Sequence, residues 1–265
     1  MIQDIDNVFD NQYKKKNPDS NSRIICISDE GIFIKTENNI ICFPQANEAE
    51  SVYQYLFTIG KTDYFSGALP KNNKYTPSSI RSLRSLGASD EVFAGICGFH
   101  ICSWYNNNRF CGKCGSPMHH SKTERAMECS CGNIEYPKIC PAVIVAVINK
   151  DKILLTRYNS GYSHWALVAG YNEFGETIED TVHREVFEET GLKVKNLRYY
   201  KSQPWGLSSS LLFGFICDVD GDDTVKVDNI ELKEGRWFTR DDINFDNDNF
   251  SLTREMISAF KKNIL

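Results

Sequence analysis

The sequence predicts an α/β protein made of three consecutive regions. Residues 1–108 mix short strand-like runs with one helical pattern, and residues 109–140 are rich in Cys, Gly and Pro. From residue 141, apolar runs of strand length alternate with helical patterns, the arrangement expected of strands that pack against helices. We therefore expect an N-terminal α+β domain over 1–108, a small metal-binding region over 109–140, and an α/β domain over 141–265.

In the first region, the runs SRIICIS and GIFIKTENNIICF read as short strands joined by polar turns. A helix is predicted from residue 89 to residue 105, where apolar residues recur at helical spacing. Ser89 lies just before this pattern and is a suitable N-cap. No motif of known chemistry stands out in this region.

In the third region, the runs PAVIVAVIN, KILLTRY and HWALVAG read as buried strands. A helix is predicted over residues 177–190, because Thr177 and Asp180 can form a capping box and Gly191 suits the residue after the helix. Two more strands, SSLLFGFICDV and GRWFT, and a last helix from about residue 251 complete the pattern.

The bulk composition is that of a water-soluble protein. The 265 residues are 41% hydrophobic and 25% charged, with a net charge of −5 and no long basic tract, which argues against non-specific binding to nucleic acid. No stretch of about 18 apolar residues suggests a membrane span, and no signal-peptide pattern opens the sequence. We expect a cytoplasmic protein with no membrane partner.

Four of the ten cysteines form two close pairs. Cys111 and Cys114 lie in CGKC, and Cys129 and Cys131 lie in CSC. Two such pairs separated by a short loop predict a structural Zn²⁺ site with four thiolate ligands. The second pair is one residue shorter than usual, so His119 and His120 stay open as substitute ligands, and buried thiols or a redox pair are the alternative. The remaining cysteines lie in apolar runs and are predicted core residues.

Three glutamates crowd the predicted helix over residues 177–190. Glu185, Glu188 and Glu189 are spaced i, i+3 and i+4 and so share one helical face. Ile178, Val182 and Val186 form an apolar stripe beside them. Carboxylates at the edge of a buried surface need protonation or bound cations, and clustered hard oxygen ligands favour Mg²⁺ or Mn²⁺. A solvated acidic face is the alternative.

The wider stretch, GYNEFGETIEDTVHREVFEETGL at residues 170–192, resembles the Nudix box of the Nudix hydrolases in every constrained position. These enzymes cleave nucleoside diphosphates linked to another moiety. The resemblance implies an α/β/α sandwich with a mixed sheet. It also implies that Glu185, Glu188 and Glu189 hold the divalent metals, that Arg184 and Glu176 brace the loop as a salt bridge, and that Glu188 or Glu189 is the general base.

Two further features resemble the NADH pyrophosphatase family: the cysteine ribbon directly before the Nudix box, and the motif SQPW at residues 202–205. The resemblance covers residues 100–265 well and is weak before residue 80. It implies hydrolysis of NAD(H) to nicotinamide mononucleotide and AMP, removal of NAD caps from the 5′ end of RNA in bacterial members, and a homodimer.

The same resemblance implies substrate-binding residues by position. Tyr171 would stack on a ring of the substrate, and Tyr136 would reach the partner protomer's site. Glu231 would add a metal ligand, and Arg84 matches a substrate-contacting arginine, although the alignment slips there. The other implied substrate contacts are Ala169, Gln203, Pro204, Trp205, Ser210 and Thr253.

The sequence departs from the family motif SQPWPFPxS, because Gly206, Leu207, Ser208 and Ser209 follow Trp205. Glycine and serine give this loop more freedom than proline would. The departure puts affinity for the nicotinamide end in doubt and keeps another nucleoside diphosphate derivative, such as ADP-ribose, open as the substrate. A non-enzymatic binding module is a third hypothesis, disfavoured by the complete set of box glutamates.

Overall fold

The computed structural model describes residues 1–38, 40–161, 164–227, 230–244 and 250–265. Within these residues the elements are, in order: β1 (Phe9–Asp10), β2 (Arg23–Ile25), β3 (Ile27–Ser28), β4 (Gly31–Glu37), β5 (Ile40–Cys42), β6 (Ser51–Ile59), β7 (Thr62–Ala68), β8 (Thr76–Ser78), α1 (Asp90–Asn107), β9 (His119–His120), β10 (Met127–Glu128), β11 (Ile134–Glu135), β12 (Cys140–Asn149), β13 (Lys152–Tyr158), β14 (Val168–Tyr171), α2 (Ile178–Thr190), β15 (Val194–Trp205), β16 (Ser210–Val219), β17 (Leu232–Thr239) and α3 (Leu252–Lys261). Short 3₁₀ helices cover Ala46–Glu48 and Ile80–Leu86.

Contacts divide the chain into two units. One contains Met1, Ile139–Trp205 and Ser210–Leu265, and the other contains Ile2–Lys138 and Gly206–Ser209. The cysteine segment thus falls in the same unit as the N-terminal residues, where Arg125 donates hydrogen bonds to the carbonyls of Asn11 (2.8 Å) and Leu56 (2.6 Å). The three-region division drawn from the sequence stays a prediction.

The first unit is built on a mixed sheet with the strand order β15-β16-β12-β13-β17, and β14 also pairs with β12. Strands β12 and β16 are parallel, and the other pairs are antiparallel. Alternate residues of β12 pack into two different hydrophobic cores. Ile144 and Ala146 pack in a cluster with residues of α3, such as Met256, whereas Val143 and Val145 pack in a cluster with residues of α2. Helices therefore cover both faces of the sheet, which confirms the predicted α/β/α sandwich.

The second unit contains antiparallel and parallel strand pairs and the helix α1. One sheet has the order β1-β6-β7-β2, a second joins β3, β4 and β5 with β8 on β4, and a small sheet β11-β10-β9 lies in the cysteine segment. Val92, Phe93 and Ile96 of α1 are buried, as the predicted helical spacing requires. No described helix is both long enough and apolar enough to cross a membrane.

The helix boundaries follow the predicted caps. Ser89, Thr177 and Ser251 are the N-caps of α1, α2 and α3, and each side-chain oxygen accepts a hydrogen bond from a backbone N–H of the first turn. Thr177 and Asp180 form the predicted capping box, and Gly191 ends α2 in the left-handed conformation, with φ 71°. The strand predicted over HWALVAG is shorter than expected, because only Val168–Tyr171 forms β14.

Candidate active site

The loop between β14 and α2 is closed by hydrogen bonds within the loop and to α2. The Asn172 amide donates to the Thr181 hydroxyl (2.7 Å), which in turn donates to Oε2 of Glu176 (2.9 Å). The backbone N–H of Glu173 also donates to Oε2 of Glu176 (3.1 Å). The hydrogen bonds of Asn172 and Thr181 were not predicted, because the sequence around a short polar side chain does not identify its hydrogen-bond partner.

Arg184 lies at the centre of this arrangement. Its Nε and Nη2 donate to the two carboxylate oxygens of Glu176, at 2.5 and 2.9 Å. Its Nη2 also donates to the carbonyl of Tyr171 (2.9 Å). The guanidinium lowers the pKa of Glu176 to about 2, so that this carboxylate stays ionised in mildly acidic solution as well as at neutral pH. The predicted brace is therefore present, and it joins both ends of the loop to the helix.

The same guanidinium contacts two of the three predicted metal ligands. Nη1 of Arg184 donates to Oε1 of Glu185 (2.7 Å) and to Oε2 of Glu188 (3.1 Å). The Glu188 side chain is 58% exposed, the Glu185 side chain is 13% exposed, and Glu189 is buried. Burial raises the pKa of Glu185, the Arg184 guanidinium opposes this rise, and the charges of Glu188 and Glu231 add to it.

Gly170 makes room for the carboxyl group of Glu185. A Cβ atom on Gly170 would lie 1.9 Å from Cδ of Glu185 and 2.0 Å from its Oε1. The end of β14 and the face of α2 therefore meet at these two residues with no space for a side chain on the strand. This contact fixes where the Glu185 carboxylate can lie.

The donor set fits divalent cations. Glu185, Glu188 and Glu189 supply hard carboxylate oxygens, the ligand type that Mg²⁺ and Mn²⁺ prefer. Arg184 offsets only part of their charge and is itself shared with Glu176. Glu231 is exposed, and its negative charge contributes to the raised pKa of Glu185, as expected of an additional ligand near the cluster.

The four ribbon cysteines converge on one point. All four sulfurs lie within 4.8 Å of one another, with 3.7 Å between Cys111 and Cys131 and 3.5 Å between Cys114 and Cys129. Thiolates at about 2.3 Å from a tetrahedral zinc ion lie about 3.8 Å apart, whereas a disulfide joins sulfurs at about 2.0 Å. The cluster thus fits structural zinc, and the four cysteines suffice without His119 or His120.

Several predicted substrate contacts lie in the unit that holds the glutamates. Tyr171 is 50% exposed, and its hydroxyl accepts a hydrogen bond from the buried Ser210 hydroxyl (3.4 Å). Ala169 is half-buried on β14, and Thr253 is half-buried in the first turn of α3. Trp205 packs edge-on against Phe250.

Gln203 and Pro204 have different environments on β15. The Gln203 side chain is fully buried, where its amide donates to the carbonyl of Phe250 (3.1 Å) and accepts from the N–H of Leu252 (2.7 Å). It thus holds the start of α3. Pro204 is exposed on an edge strand, where a missing N–H is tolerated.

Two predicted contacts, Tyr136 and Arg84, belong to the second unit. Tyr136 is 56% exposed and donates a hydrogen bond to Glu124 (3.2 Å). A cavity of about 480 Å³ is lined by Tyr136, Trp104, Lys138 and Ser209 together with neighbouring polar residues. Arg84 is half-buried in the 3₁₀ helix Ile80–Leu86.

Gly206 is in close contact with α1. A Cβ atom at this position would lie 2.9 Å from both the carbonyl oxygen and Cγ2 of Ile96, and 3.3 Å from Cβ of His100. The glycine after SQPW therefore permits close packing as well as flexibility, and a proline ring would not fit without a shift of the helix.

Comparison with known proteins shows to which class of proteins the chain belongs. Residues 138–260 match the NUDIX domain, and residues 106–136 match the NADH pyrophosphatase zinc ribbon domain. The crystal structure of a NUDIX hydrolase from Nitrosomonas europaea aligns with a TM-score of 0.51 at 22% identity, over 58% of this chain and 91% of that one. This likeness supports the fold.

The curated relatives narrow the class. The NAD-capped RNA hydrolase NudC of Enterobacter sp. (strain 638) is 43% identical over 179 residues, which are 66% of this chain and 68% of the relative. NudC of Salmonella schwarzengrund is 47% identical over 177 residues, 65% of this chain and 67% of the relative. The chain belongs to the NAD-capped RNA hydrolase (NADH pyrophosphatase) family of Nudix hydrolases.

Proposed function

We propose that the protein hydrolyses the pyrophosphate bond of NAD(H) to nicotinamide mononucleotide and AMP, and that it removes NAD caps from RNA. The observation that carries this proposal is the carboxylate face of α2, which Arg184 holds together and Gly170 accommodates. The relatives are NAD-capped RNA hydrolases, and this similarity supports the choice of substrate.

In a metal-dependent hydrolysis, the glutamates of the site would bind the metal ions and accept a proton. Bound Mg²⁺ or Mn²⁺ would neutralise the phosphate charge and acidify a water molecule. Glu185, Glu188, Glu189 and Glu231 would hold the cations. Glu188 or Glu189 would take the proton from the attacking water.

The remaining site residues would orient the dinucleotide. The exposed ring of Tyr171 is available for stacking, and its hydroxyl is held by Ser210. Ala169, Pro204, Trp205, Thr253 and Arg84 stay proposed substrate contacts. Because its amide is already bonded to the backbone, Gln203 is proposed to shape the pocket by holding α3 in place.

A product-resolved assay tests the proposal. The purified protein would be incubated with NADH or with ADP-ribose, each with Mg²⁺ and with Mn²⁺, and the products separated by chromatography. Release of AMP and reduced nicotinamide mononucleotide from NADH is the expected result. If NADH stays intact while ADP-ribose yields AMP, the substrate is another nucleoside diphosphate derivative and the proposal fails.

A variant of Glu189 links turnover to the carboxylates. Glu189→Gln keeps the size of the side chain and removes its charge, so kcat should fall by about 100-fold or more. Circular dichroism would show whether the fold is kept. Activity equal to the wild type in this variant would remove Glu189 from the mechanism.

We also propose that the protein acts as a homodimer in which Tyr136 contacts the partner protomer's site. The support is the family resemblance and the 56% exposure of this aromatic side chain. Analytical ultracentrifugation should give the mass of a dimer, and Tyr136→Ala should raise KM for NADH in the dimer. A fully active monomer would contradict the proposal.

A reducing compartment, the cytoplasm, is proposed as the location. None of the ten cysteines forms a disulfide in the structure, and cysteines stay reduced in reducing compartments. Fractionation of the source cells, followed by immunodetection, tests this proposal.

A further inference from the structure

Phe174 is exposed to an unusual degree in the loop between β14 and α2. Its side chain is 98% exposed, more than any other large hydrophobic residue among those the structure describes. An aromatic ring in water contributes nothing to the core of the protein. The ring lies three positions after Tyr171, the last residue of β14, and is accessible to a ligand.

The loop presents this ring on a firm support. The N–H of Asn172 donates to the carbonyl of Pro141 (3.1 Å), and the N–H of Glu176 donates to the carbonyl of Glu173 (3.2 Å). The carboxylate of Glu176 bonds Arg184, which also bonds the carbonyl of Tyr171. Both sides of Phe174 are thus tied to α2, so little backbone freedom would be lost on binding.

The reach of the loop limits what Phe174 can contact. Phe174 lies three positions after Tyr171, so the two Cα atoms lie at most about 11 Å apart. Stacked nucleotides advance by about 3.4 Å along a strand. At this distance, the Phe174 ring can contact a base that lies a few nucleotides away from a ligand ring stacked on Tyr171.

The charge of the loop indicates which part of a ligand can bind at Phe174. Residues 170–180 contain Glu173, Glu176, Glu179 and Asp180 and no Lys or Arg. Such a segment repels phosphates, so attraction at Phe174 must come from the ring itself. Stacking on an aromatic ring accepts any base, because every base has a π-face.

We propose that Phe174 stacks on a base of the RNA chain that follows the NAD cap and so favours capped RNA over free NAD(H). This inference rests on the proposed function. It makes Phe174 a specificity residue for the longer substrate, with no part in the hydrolysis step.

The test compares Phe174→Ala with the wild type on NADH and on a short NAD-capped RNA. The variant should lose about 5- to 160-fold in kcat/KM on the capped RNA, the range for removal of one stacking ring, and stay within about twofold on NADH. Phe174→Trp should retain the activity on RNA. Tyr199→Ala, which removes another exposed aromatic side chain of the same unit, should leave the preference unchanged.

Capped RNAs with abasic nucleotides test the same stacking contact by changing the RNA instead of the protein. When the second and third nucleotides of the capped RNA lack bases, wild type and Phe174→Ala should have similar kcat/KM values. Equal losses on NADH and on RNA, or no loss on RNA, would overturn the inference. A change of oligomeric mass in Phe174→Ala would instead assign the ring to an interface between copies. Wild-type protein that leaves NADH intact refutes the proposed function, a separate outcome.

Discussion

Replacing Gly170 with Ala should separate catalysis from folding. The new Cβ would lie 1.9 Å from Cδ of Glu185 and 2.2 Å from its Oε2, whereas carbon atoms in contact stay about 3.5 Å apart. The Glu185 carboxyl group must therefore move by about 1.5 Å. A displacement of about 1 Å in a catalytic group can lower the rate by about 100-fold, so we expect kcat to fall by at least about 100-fold.

The same substitution should have a modest effect on stability. The obstructing atoms are the end of a side chain that can rotate, so the expected loss lies near the low end of the range for overpacking, about 1 kcal/mol. That loss corresponds to a fall of about 2–4 °C in Tm. The effect on catalysis should therefore exceed the effect on folding by far.

The assay measures release of AMP from NADH at saturating Mg²⁺ or Mn²⁺, with thermal unfolding followed by circular dichroism. Gly112→Ala is the matched control, because a Cβ at Gly112 meets no atom within 4 Å. If Gly170→Ala keeps kcat within about threefold of the wild type, the contact between Gly170 and Glu185 does not determine the position of the Glu185 carboxylate, and the reasoning is wrong.

Four shorter predictions follow from other contacts. Arg184→Lys should lower kcat by at least about tenfold, because an ammonium group cannot replace the forked bonds to Glu176; steady-state kinetics at saturating metal measures this. Cys131→Ser should reduce bound zinc well below about one ion per chain in elemental analysis. Gly206→Ala should destabilise its unit by about 1–3 kcal/mol in urea unfolding, because its Cβ would lie 2.9 Å from the Ile96 carbonyl oxygen. Since the pKa of Glu176 falls from 4.5 to about 2 in the folded state, its contribution to stability is complete above pH 4.5 and is lost as the pH falls toward 2; the difference in unfolding free energy between wild type and Glu176→Gln should shrink over that range.

Features set by neighbouring residues were predictable from the sequence. The caps Ser89, Thr177 and Ser251 act within the first turn of their own helices, so their residue types identify the helix starts. The two cysteine pairs likewise sit on short turns, and their sulfurs converge as predicted. In each case a few consecutive residues determine the geometry.

Features that depend on distant contacts were missed. Strand β15 lacks apolar alternation because it lies at the edge of the sheet and exposes much of its length. The burial of Gln203 depends on the backbone at Phe250 and Leu252. The close packing of Gly206 on Ile96 depends on a helix a hundred residues earlier in the chain. No local pattern contains this information.

The three box glutamates are ordered by their rotation around α2. Val186 is fully buried and marks the inward direction. At about 100° per residue, Glu189 lies about 60° from Val186, Glu185 about 100° and Glu188 about 160°. Their burial follows the same order, since Glu189 is 4% exposed and the side chains of Glu185 and Glu188 are 13% and 58% exposed. Because desolvation of a carboxylate increases with burial, the demand for compensating positive charge rises from Glu188 to Glu189, and the three carboxylates are therefore unequal as proposed ligands of a cation.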